Sequence, residues 1–153
     1  MREGLFSSLQ AGSTGLVGRT FLDLYAGSGA VGLEAASRGA SRVVLVEREP
    51  AALKVMRSNA EGLGVSGVVV VALPVERFLA GEPSAFDAVY VDPPYAEPVG
   101  ATLTALTAGW LAPEAVVCVE RSSRDAALEW PEGLAGLRSR KYGDTTLWYG
   151  RAS

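Results

Sequence analysis

The chain has 153 residues, 48% of them apolar and 20% charged, with a formal net charge of −3. That length can bury a substantial core and reads as a single domain over residues 1–153. There is no histidine and Cys118 is the sole cysteine, which excludes Ser-His-Asp and Cys-His catalysis, histidine-built metal sites and an internal disulfide.

Residues 2–10 read as a short amphipathic helix with Leu5, Phe6 and Leu9 on one side. Residues 11–18 form a Gly/Ser/Thr loop. A strand is expected at 20–24, where Phe21, Leu22 and Leu24 supply an apolar run. Tyr25, Ala26, Gly27, Ser28 and Gly29 follow as a sharp bend, and its glycines let a ligand approach the backbone. Ala30, Val31, Leu33, Ala35 and Ala36 favour a helix that stops at Arg38-Gly39, and small Gly32 lets it pack closely on a sheet. Further strands are expected at 42–47, 67–73, 85–91 and 115–120. The intervening helices are expected from Pro50 to Gly64, at 74–80 and at 101–109. Two strand-like runs, 134–142 and 145–151, are joined by Gly143-Asp144, a hairpin signal.

Alternating strands and helices predict a mostly parallel sheet covered on both faces. A sheet that ends in an antiparallel hairpin is the pattern of the three-layer, Rossmann-like, seven-stranded S-adenosylmethionine (SAM)-dependent methyltransferase fold. Gly27, Gly29 and Gly32 keep the G-x-G-x-x-G spacing, which serves dinucleotides and SAM alike. Asp23 favours SAM, because a carboxylate at that strand end suits an ammonium group better than a pyrophosphate.

The predicted C-terminal strand ends carry Asp23, Glu47, Asp92 and Glu120, at the edge where open parallel sheets bind ligands. Glu47 follows Gly27 at the spacing of a ribose-binding carboxylate. Arg48 and Glu49 are placed to cover an adenine. Pro74 and Val75 supply its other wall, with backbone groups reading the ring. Asp92-Pro93-Pro94-Tyr95 is the most specific element. An exocyclic amine on a base is a poor nucleophile, because its lone pair is delocalised into the ring. Hydrogen bonds to the Asp92 carboxylate and the Pro93 carbonyl would pull the nitrogen towards a tetrahedral shape. Pro94 stiffens the corner, and Tyr95 would stack on the base.

Leu22 to Ala35, Ser37-Arg38-Gly39-Ala40, Val46-Glu47, Asp92-Pro93-Pro94-Tyr95 and Lys141-Tyr142-Gly143-Asp144-Thr145 together resemble the RsmD family of bacterial 16S rRNA guanine-N2 methyltransferases. The resemblance implies methyl transfer from SAM, leaving S-adenosylhomocysteine, to N2 of the guanine at position 966 of 16S rRNA. It implies a base splayed into the pocket, and a small subunit or assembly intermediate as substrate, with ribosomal proteins helping to present the loop. Relatives carry a basic, substrate-facing segment before the Arg2-Glu3-Gly4-Leu5-Phe6 helix, and that segment is expected to be missing here. The remaining candidates for phosphate contact are Arg2, Arg121, Arg124, Arg138, Arg140 and Lys141. Among the fourteen basic residues only Lys54 and Lys141 are lysines. Arginine's planar fork suits phosphate, although a GC-rich genome gives the same bias.

No apolar run is long enough for a bilayer and no signal-peptide pattern opens the chain, so a cytoplasmic protein with no membrane partner is expected. No metal is expected. Three other readings stay open. Asp-Pro-Pro-Tyr also occurs in amino-methyltransferases acting on DNA adenine or cytosine, or on protein glutamine. A short N-terminus is also compatible with a catalytically weak rRNA-binding module. The glycine spacing alone also admits an NAD-dependent enzyme.

Overall fold

The computed structural model describes residues 2–10, 15–94 and 97–153. The helices are α1 (Arg2–Gln10), α2 (Ala30–Ser37), α3 (Pro50–Leu63), α4 (Val75–Leu79) and α5 (Gly100–Leu106). The strands are β1 (Thr20–Leu24), β2 (Arg42–Glu47), β3 (Val68–Ala72), β4 (Phe86–Val91), β5 (Leu111–Ser122), β6 (Leu134–Tyr142) and β7 (Thr145–Ala152).

The strands form one sheet in the order β3-β2-β1-β4-β5-β7-β6. The β1–β5 strands pair in parallel, and β7 runs antiparallel between β5 and β6. The central strands are largely apolar, interrupted by Asp23 in β1 and Asp87 in β4, because both of their faces are covered. Phe21, Val43, Leu45, Ala88, Tyr90 and Cys118 pack on one face with Leu5 and Phe6 of α1, Leu33 of α2, and Leu53 and Met56 of α3. Leu22, Leu24, Val44, Val46, Val89 and Val91 pack on the other with Val75 and Leu79 of α4, and Leu103 and Leu106 of α5. The result is the three-layer Rossmann-like methyltransferase fold expected from the sequence.

Pro50 opens α3, and Gly64 closes it in the left-handed region at φ 62°. The expected elements differ from the observed ones chiefly in β5. It begins at Leu111, which pairs with Phe86, and the register then shifts so that Ala88 faces Val116. Pro113 and Glu114 lie within that shift, and Glu114 sits at φ 64°. They look like a strand breaker in sequence but form an irregularity that lets pairing resume beyond it.

The chain reverses its winding between β1 and β4, each of which pairs with the other. The carboxyl ends of these two strands therefore open a crevice, the usual ligand position in such sheets. Close packing of α2 keeps that crevice in shape. A Cβ on Gly32 would run into Leu45 Cδ2 and stand 3.1 Å from Asp23 Oδ2. Leu45 is fully buried and has nowhere to go. Gly32→Ala is expected to destabilise the fold by about 1–3 kcal/mol through overpacking. Thermal unfolding of the purified variant checks this, and an unchanged midpoint would contradict the close packing described.

Candidate active site

The bend after β1 is built from its own backbone. Ala26 N–H donates to the Val46 carbonyl at 2.9 Å, and Gly29 N–H to the Ala26 carbonyl at 2.8 Å. Gly27 and Gly29 sit at φ 58° and 80°, where a side chain would be strained. Asn59 of α3 ties the bend down, its Nδ2 donating to the Ser28 carbonyl at 3.1 Å. Tyr25 also has positive φ, 60°, and its hydroxyl lies 3.1 Å from Thr102 Oγ1 and 3.5 Å from Glu97 Oε1.

Asp23 lies under this bend and is 1% exposed. Its Oδ2 accepts the Gly32 N–H at 2.9 Å. One Asp23 oxygen therefore braces the bend from beneath. Burial pushes its carboxyl up to about 8, the Gly32 N–H opposes that, and the Asp92 and Glu47 carboxylates add to it. This strut also bears on ligand choice. A dinucleotide site offers free amides at the helix N-terminus to a pyrophosphate. Here one of those amides, Gly32 N–H, is already taken by the protein's own carboxylate.

Glu47 is likewise held by the backbone. Its Oε1 accepts the Gly27 N–H at 2.8 Å, and its Oε2 accepts those of Arg48 and Glu49 at 3.0 and 2.9 Å. A carboxylate has about four acceptor sites, so roughly one is left for a ribose hydroxyl.

A cavity of about 640 Å³ opens beside Glu47. Tyr25, Gly27, Arg48, Pro74, Val75 and Asp92, all expected at the cofactor site, line it, as do Pro93 and Pro94. Ala26, Ser28 and Gly29 do not line it; they shape the bend behind it. A second cavity, of about 530 Å³, lies on the other side of the diproline corner. Glu120, Arg121, Ser122, Arg124, Asp125, Asp144 and Thr145 contribute to its walls. The two cavities share Asp92, Pro93, Pro94 and Glu97.

Asp92 is half-buried between them. Burial, and then the nearby Glu120 charge, push its carboxyl up to about 7. Arg121 lines the second cavity while its Nε contacts Asp125 Oδ2 at 3.2 Å. Arg140 and Lys141 lie exposed on edge strand β6, outside both cavities. The strand carries them along the sheet's rim, apart from the cavity walls. Tyr95 lies outside the described residues. Sequence reasoning missed Glu97, Ser122, Asp125, Asp144 and Thr145, which come from the ends of β5 and β7 and the segments beyond the strands and meet only in the fold. Among the described residues no cluster of His, Cys, Asp and Glu could hold a metal ion, and no helix is long and apolar enough to cross a membrane.

Comparison with known proteins agrees with this geometry. The chain is 37% identical over 122 residues to Ribosomal RNA small subunit methyltransferase D of Escherichia coli, covering 78% of this chain. The match spans about 60% of that relative's length. A solved hypothetical protein of Thermus thermophilus superposes with a TM-score of 0.78 at 37% identity, over 97% of this chain and 82% of that one. A structure of a mutant of MtNAS in complex with S-adenosylmethionine shares the fold alone, with a TM-score of 0.75 at 19% identity over 99% of this chain and 61% of that one. The family model described as Conserved hypothetical protein 95 matches residues 1–151, and the chain belongs to that family, the RsmD-like methyltransferases.

Proposed function

We propose that this chain is a SAM-dependent methyltransferase acting on the exocyclic N2 of a guanine in 16S rRNA. The observation that carries this reading is the wall shared by the two cavities at Asp92-Pro93-Pro94. A donor on one side and a flat amine on the other would meet there.

The residues fit SAM. Pro74 and Val75 offer an apolar wall to an adenine and Glu47 an acceptor to a ribose, while Asp23 and Asp92, both raised towards neutrality in the free protein, would ionise against a bound cation. When bound, SAM supplies a methyl activated by a sulfonium. The protein's part is positioning, which is worth several kcal/mol of barrier. Asp92 and the Pro93 carbonyl accept the amine's two N–H groups, so that the nitrogen lone pair faces the cofactor cavity. With SAM bound, the amine would take the methyl as the methyl's bond to sulfur broke and left its electron pair on sulfur, and the nitrogen would then shed one proton. Asp92, poised near neutrality, is able to receive it. Arg121 and Arg124 stand at the acceptor side for backbone phosphates.

The relative's name supports an rRNA acceptor, and the family resemblance supports the small subunit or its assembly intermediate, with ribosomal proteins presenting the loop, in the cytoplasm. Residues 1–153 act as one domain in this reading. Labelled methyl from SAM is expected to appear as N2-methylguanosine in small subunits lacking that modification. Naked 16S rRNA, DNA and ribosomal protein serve as competing acceptors. Label found only in DNA or protein, or tight binding of NADH with none of SAM, would overturn the proposal.

A further inference from the structure

Glu120 is the one strand-end carboxylate of the acceptor cavity that the scheme above leaves without a task. In the parallel β4–β5 register Tyr90 faces Cys118 and Val91 faces Val119. One step further, Asp92 follows the last residue of β4 and Glu120 continues β5, and the Glu120 charge is felt at the Asp92 carboxyl. Strand alternation sends both side chains to the face that carries Tyr90 and Cys118. Both line the acceptor cavity.

The carboxylate of Glu120 is held from below. Tyr90 is 4% exposed, and its hydroxyl donates to Glu120 Oε1. Burial, with Glu120 itself, pushes that hydroxyl far above its ordinary range, so it remains a donor at any working pH. Oε2 has no hydrogen-bond partner among the described residues, and no cation among them forms an ion pair with Glu120. One oxygen is thus anchored in the core, while the other stays available to the cavity.

An exocyclic amine gripped by Asp92 and Pro93 would leave one ring position beside it turned towards Glu120, which lines the same cavity. The guanine 2-amine is flanked by N1, which carries a hydrogen, and by N3, which carries a lone pair. The ring nitrogen beside the amine of adenine, N1, or of cytosine, N3, carries a lone pair. A carboxylate only accepts, so it bonds guanine in the orientation that presents N1–H and repels the lone pair of the other two. We propose that Glu120 reads the N1–H of the acceptor and is the residue that selects guanine among amine-bearing bases. This rests on the methyltransferase reading above. A site built to bond an N–H rejects an analogue lacking it by large factors, because its own buried acceptor is left unmatched.

The test uses small subunits reconstituted around 16S rRNA carrying either guanine or 2-aminopurine at the methylated nucleotide. 2-Aminopurine keeps the 2-amine but presents a lone pair at N1. The wild type is expected to prefer guanine by about 100-fold or more in kcat/KM. In Glu120→Gln the amide is able to donate to a lone pair, so the preference should fall below about 10-fold. Its SAM affinity, measured by calorimetry, should stay within about three-fold, because Glu120 does not line the cofactor cavity. Equal loss on both bases, or no loss on either, would overturn the assignment. If Glu120→Gln does not fold, Tyr90→Phe carries the test: releasing the anchor should narrow the preference by about three- to ten-fold, and an unchanged preference overturns the proposal. A wild type that binds SAM yet modifies neither subunit overturns the methyltransferase reading itself, and this inference with it.

Discussion

Asp92→Ala should lower methyl transfer by about a thousand-fold or more while SAM affinity stays within about ten-fold. Asp92 sits where the two cavities meet, and its half-buried carboxyl lines both. Without it the amine keeps its planar, delocalised form and its lone pair stays in the ring. The cofactor cavity retains Glu47, Arg48, Pro74 and Val75, so binding persists. The wild-type pH profile carries a second signature. Asp92 titrates at about 7 in the free protein, and its ionised form is the one that accepts N–H groups. Transfer therefore rises with pH, and a bound cation moves the midpoint below that of the free protein. Single-turnover transfer across pH 5 to 9 checks both points. A normal rate in Asp92→Ala would remove the junction from the mechanism.

Asp23→Asn is expected to make the protein more stable and its cofactor binding weaker. The amide has nearly the same shape, and its oxygen still accepts the Gly32 N–H. What it removes is the ability of a buried group to ionise as pH rises or as a cation binds. The wild-type carboxyl is raised from 3.8 to about 8, so the folded state holds its proton more tightly than the unfolded chain does. Its stability contribution is full below about pH 4 and is lost as pH rises through about 8. Wild-type stability should fall across that window, and Asp23→Asn should flatten the fall. At pH 8 the melting temperature of the cofactor-free variant should exceed the wild type's by roughly 3–8 °C. SAM carries a sulfonium charge that S-adenosylhomocysteine lacks. Affinity for SAM should therefore drop by about 10- to 100-fold, and affinity for S-adenosylhomocysteine by less. Thermal melts and calorimetry on both ligands separate the two effects. Equal losses for the two ligands would show that Asp23 supports only the bend's shape.

These two carboxylates also show how far sequence carries. The apolar runs, the Gly27–Gly29 bend and the Gly143-Asp144 hairpin specify the layers and the closing antiparallel strand, because each is set by local backbone chemistry. Asp92-Pro93-Pro94 marks the corner between the two cavities for the same reason. Depth is harder to read. Asp23 and Glu47 both stand at strand ends, yet one is sealed under the bend and the other is clasped by three backbone N–H groups. Only the folded bend decides which oxygens remain for a ligand. The acceptor cavity is harder still, since Glu97, Ser122, Asp125 and Asp144 are brought together by strand order rather than by spacing. Arg140 and Lys141 show the reverse case: they are close in sequence to the hairpin turn but ride on the outermost strand, apart from the cavity walls.

The most direct test is a crystal structure of the protein with SAM bound. The adenine is expected against Pro74 and Val75, the ribose at Glu47, and the methyl pointing past Asp92 into the cavity lined by Glu120 and Arg121. A methyl turned away from Asp92, or a protein wall closed between the two cavities, would contradict the account.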